Sequence, residues 1–70
     1  MRTDGAFDGL REKIFEISDA LTDVAIESLR SAAETNDEEV IKEATLLDRR
    51  VVRARRALEK AAAILASIDE

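Results

Sequence analysis

Apolar and alanine positions recur through residues 40–68 at Val40, Ala44, Leu47, Val51, Ala54, Leu58, Ala61, Leu65 and Ile68. Their spacing alternates four and three without a miss, the heptad pattern of a long helix with one apolar seam. A second pattern of the same kind runs through Phe7, Leu10, Ile14, Ile17, Leu21 and Val24, then into Ser28 and Ser31. Where serine replaces the large residues, the apolar positions drift to Ala25, Leu29 and Ala32. Such drift is what a straight helix shows when its period of about 3.6 slides off a strict 3.5 repeat.

Between the two patterns, Glu34-Thr35-Asn36-Asp37-Glu38-Glu39 interrupts the periodicity. Thr35 with Glu38, or Asn36 with Glu39, has the spacing of a capping box. The acids complement the dipole of a helix that starts there, and Asn36 tolerates the left-handed backbone that ends one. Asp4 or Asp8 is the candidate N-cap of the first helix. The expectation is one domain over residues 1–70, with a first helix over about 6–34, a turn at about 35–37 and a second helix over about 38–68. A short connection makes the helices antiparallel neighbours, so the predicted fold class is all-α, a two-helix antiparallel hairpin. A single uninterrupted helix is the alternative.

The apolar surface is wider than one neighbour covers. Phe15, Ile26, Leu29 and Ala33 form a second strip on the first helix. Leu46 and Ile64 widen one flank of the second helix, Ile41 and Val52 the other. Helices of this kind contact two neighbours, which predicts that the hairpin dimerises into a four-helix bundle. Composition points the same way. Seventy residues rarely yield a core worth more than about 3–5 kcal/mol. With no cysteine and no histidine, disulfides and the usual zinc sites are excluded, and oligomerisation remains. The interleaving of Ala44, Ala54 and Ala61 with Leu47, Val51, Leu58 and Leu65 resembles the layering of Rop-type plasmid regulators, RNA-binding dimers of helical hairpins. That likeness is one of architecture, rests on no sequence motif and carries over no functional residue.

Charge refines the choice of partner. The formal net charge is −5, which argues against a generic nucleic-acid or membrane binder. No stretch approaches the roughly twenty apolar residues of a membrane span. The N-terminus has no apolar run ending in small residues, so a cytoplasmic protein is expected. Arg49, Arg53, Arg56 and Lys60 form a basic stripe on the back of the second helix, and Glu12, Glu16, Asp19 and Asp23 form an acidic one on the first. A hairpin turning near Asn36 sets Asp23 level with Arg49, Asp19 with Arg53, Glu16 with Arg56 and Glu12 with Lys60. Three readings follow. The stripes are solvated surface, where an exposed pair is worth about 0–1 kcal/mol; they meet between protomers and fix register; or the cations follow an external anion such as an RNA backbone. No aromatic interleaves the arginines for base stacking, so the last ranks third. Phe15, Ile26 and Leu29 are either dimer core or a groove for a partner helix.

The acidic turn resembles the tip of the helical-hairpin transcript-cleavage factors, which help hold a metal in RNA polymerase. Capping and dipole effects account for the same acids. With no histidine, cysteine or tyrosine, the usual nucleophile–base pairs cannot be assembled, and no glycine-rich phosphate loop is present. No catalytic, cofactor-binding or metal-binding residue is therefore expected. The expected function is a small non-catalytic protein-interaction or regulatory module, acting as a homodimer on another protein. Its partner-binding candidates are Arg49, Arg53, Arg56, Lys60, Phe15, Ile26 and Leu29; the alternative is an RNA- or DNA-binding bundle that uses the Arg/Lys stripe.

Overall fold

The computed structural model describes residues 5–68. They form two helices that pack against each other, α1 (Ala6–Thr35) and α2 (Glu38–Ile68). At about 1.5 Å per residue each helix is about 45 Å long.

The reversal between them takes two residues. Asn36 adopts φ 56° and ψ 17°, the left-handed conformation in which asparagine is one of the few tolerated non-glycine residues. Asp37 then caps α2. Its carbonyl accepts the Ile41 amide at 3.0 Å, and its carboxylate accepts the Glu39 amide at 2.9 Å. The capping-box expectation is corrected here, because Thr35 is turned the other way. Its hydroxyl donates to the Ala32 carbonyl at 3.0 Å and accepts the Asp37 amide at 3.4 Å, finishing α1 rather than starting α2.

At the far end, Gly5 takes the N-cap position of α1 at φ 80°, with no side-chain cap. Asp8 lies in the first turn and pairs with Arg11 instead of capping. Asp4 lies outside the described residues.

The helices meet along a seam of small side chains. The buried residues are Ser18, Ala25 and Ala32 of α1 and Ala44, Val51 and Ala62 of α2, and among the described residues no large side chain is fully enclosed. Ile14, Leu21, Leu47, Leu58 and Leu65 are half-buried beside them. At about 0.8 kcal/mol per buried carbon, the four alanine methyls contribute about 3 kcal/mol. The hairpin therefore holds a thin core. Across this seam the Arg55 guanidinium donates from Nε to Ser18 Oγ at 3.0 Å, and the Ser18 carbonyl accepts the Thr22 hydroxyl at 3.2 Å.

On α2 the seam follows the expected positions Ala44, Leu47, Val51, Leu58 and Leu65, whereas on α1 it is rotated from the line that the large residues mark. Leu10, Ile17 and Val24 are 47%, 51% and 55% exposed, while Ser18 and Ala25, one residue after Ile17 and Val24, are buried. Small side chains let the two axes approach closely, and bulky ones turned inward would hold them apart. In α2 Ala54 is exposed and Arg55 beside it lies toward the seam.

Candidate functional site: two unlike faces of the hairpin

A close seam through the middle of two wide apolar surfaces leaves a flank on each side. Residues three before Ser18, Ala25, Ala32 and Ala62 lie on one flank, and residues one before them lie on the other. Phe15 (before Ser18) and Glu59 (before Ala62) belong to the first flank; Ile17 and Ala61 belong to the second.

The first flank holds a groove of about 690 Å³ between the start of α1 and the end of α2. Asp8, Arg11, Glu12 and Phe15 line it from α1, and Glu59, Ala62, Ala63 and Ala66 from α2. Because these residues come from both helices, they also establish which flanks share a side. Further along the same side lie Leu29 and Val52, 39% and 37% exposed.

The second flank is of another kind. Leu10, Ile17, Val24 and Ser31 of α1 run beside Val40, Leu47, Ala54, Ala61 and Ile68 of α2. No charged residue interrupts either row. Each row sits beside half-buried aliphatic seam residues, so the result is one charge-free face along the whole hairpin.

The sequence-derived candidates divide among three places. Phe15 and Leu29 lie on the groove side. Ile26, 48% exposed, stands farther round on the outer edge of α1 with the acidic residues. Arg49, Arg53, Arg56 and Lys60 are all exposed on the outer edge of α2, as Glu16, Asp19 and Asp23 are on that of α1, while exposed Glu12 lines the groove. Among the described residues the ion pairs are Asp8–Arg11 and Glu27–Arg30, the latter at 3.4 Å, each within one turn of α1. The two stripes therefore do not meet inside one hairpin. At the turn, Asp37 is engaged as a cap, and no group of three or more acidic side chains among the described residues is placed to hold a metal ion.

Two features were missed from sequence. Arg55 lies outside the Arg49, Arg53, Arg56 and Lys60 stripe and reaches Ser18 across the seam; its position four after Val51 and three before Leu58 was the available signal. The groove carboxylates Glu12 and Glu59 lie far apart in the chain, and only the level matching of an antiparallel pair unites them. Among the described residues no helix is long and apolar enough to cross a membrane. No protein-family model, curated protein or solved structure matches the chain, so the two faces carry the functional reading.

Proposed function

We propose that the chain is a non-catalytic protein-interaction or regulatory module that works as a homodimer, two hairpins packing through their charge-free faces into a four-helix bundle. The observation that carries this reading is the charge-free face itself, aliphatic at every row position except Ser31. Surface area supports it. The chain exposes 5494 Å², where a compact monomer of 7.7 kDa scales to about 4,300 Å². The surplus exceeds the roughly 800 Å² that each partner buries in a standard interface. In a four-helix bundle each helix aims its widest apolar stripe at the bundle axis, between its two neighbours. A stripe rotated away from the sister helix is what such a dimer uses.

Molar mass by light scattering tests the proposal. The native chain is expected at twice the chain mass and Ile17→Glu at one chain mass, since one buried carboxylate per protomer is left uncompensated. Leu47→Glu makes the same test from α2. A native chain that stays monomeric at about 100 µM, a concentration well above typical dimer dissociation constants, rules the dimer out.

A second reading uses the basic ridge. Arg49, Arg53, Arg56 and Lys60 are exposed and lie off the charge-free face, so a dimer leaves them free to follow an RNA or DNA backbone. A mobility-shift series at rising ionic strength tests it, because four phosphate contacts give a steep loss of affinity with salt. Absence of a shift at the lowest salt eliminates it.

A further inference from the structure

The groove on the opposite side from the proposed dimer face has a chemistry of its own. Its floor is Ala62, Ala63 and Ala66, and Phe15 stands in its wall with 51% of its surface exposed. Its volume, about 690 Å³, falls within the range of roughly 300–1,000 Å³ typical of ligand sites. Three carboxylates and one cation line it. Asp8 is taken by Arg11, which leaves Glu12 on one helix and Glu59 on the other with no cationic partner among the described residues.

We infer that this groove receives an arginine or lysine side chain carried on an amphipathic segment of a partner protein. This rests on the reading of the chain as an interaction module but not on the dimer, since one hairpin supplies every lining residue. A long cationic side chain matches the groove part by part. Its methylenes cover the alanine floor, its charge sits over the Phe15 ring, and its donors reach the carboxylates from both helices. A purely apolar occupant would desolvate Glu12 and Glu59 without compensation, and an anionic one would add repulsion. The groove is open rather than enclosed, so a cation held by a chain segment gains contacts that a free small cation lacks.

The test is a titration of the isotope-labelled full chain with an amidated Leu/Ala helix about four turns long that bears arginines, followed by amide chemical shifts. The expected result is saturable shifts centred on Phe15 and Ala62. Replacing the arginines by neutral citrulline is expected to weaken binding about tenfold, the scale of a lost charge-assisted hydrogen bond. Glu12→Gln combined with Glu59→Gln is expected to do the same with helicity unchanged, as both residues are exposed. Equal affinity for the citrulline peptide, or no saturable shift at low salt, overturns the inference. So does a fall in molar mass on Phe15→Glu, which would make the groove a self-contact. If Ile17→Glu abolishes peptide binding while its circular dichroism stays native, the groove needs the dimer and the inference fails in this form. If Ile17→Glu leaves the mass unchanged while the peptide still binds, the dimer proposal falls and the groove stands.

Discussion

Gly5 and Gly9 stand one helical turn apart and respond to the same substitution in opposite directions. Gly5 holds φ 80°, which costs an L-residue about 1–2 kcal/mol. Gly9 lies within α1, and a Cβ there meets nothing within 4 Å. Gly9→Ala is expected to stabilise the protein by about 0.5–1 kcal/mol through a less mobile unfolded chain. Gly5→Ala is expected to destabilise it by about 1 kcal/mol. Thermal melts of the two variants check the pair; a shift of the same sign in both refutes the account. At this scale sequence reading succeeded where a residue has few options. Asn36 was marked for left-handed backbone and takes it. The cap of α2 was less legible, because threonine, asparagine and aspartate follow one another, and the choice depends on which of them first leaves α1.

The heptad was plain on both helices; the contact line followed it on α2 at Ala44, Leu47, Val51, Leu58 and Leu65 but not on α1. Four neighbouring rows of α1 carry apolar or small residues, and periodicity alone does not say which row faces α2. Side-chain size was a misleading guide, since close axial approach selects Ser18, Ala25 and Ala32 and displaces Ile17 and Val24 to a flank. A substitution separates the two lines of contact. Ala25→Leu adds apolar surface, yet at a seam position 4% exposed it is expected to cost about 1–3 kcal/mol by forcing the axes apart. Chemical denaturation measures it; a neutral or stabilising result would place the seam elsewhere.

For the molecule as a whole, the all-helical hairpin was legible because nothing in the chain breaks a helix between Gly9 and the turn, and the turn signals cluster in one place. The faces that a hairpin turns to its surroundings were not, because they depend on the rotation of both helices together. Phe15 and Ile17 illustrate this: two residues apart, each 51% exposed, they stand on opposite sides of the hairpin. If the charge-free face is covered by a second copy, association and folding are linked. The melting temperature is then expected to rise with protein concentration, by an amount set by the dissociation constant. A melt that is unchanged across about a hundredfold range of concentration contradicts that linkage.

The alanine seam has a consequence for how the two helices find their alignment. Methyl groups make shallow holes, so the alanine positions resist sliding of one helix along the other less than Val51 and the half-buried Ile14, Leu21, Leu47, Leu58 and Leu65 do. A knob of leucine or phenylalanine acts as a ratchet tooth; Ala25, Ala32, Ala44 and Ala62 do not. Alignment is therefore set jointly by those aliphatic side chains and by the tether, the two residues Asn36 and Asp37, with the Arg55–Ser18 bond as a catch midway along the rod. The turn is thus one ruler of this molecule. Lengthening it would leave both helices intact and their level matches to the side chains alone.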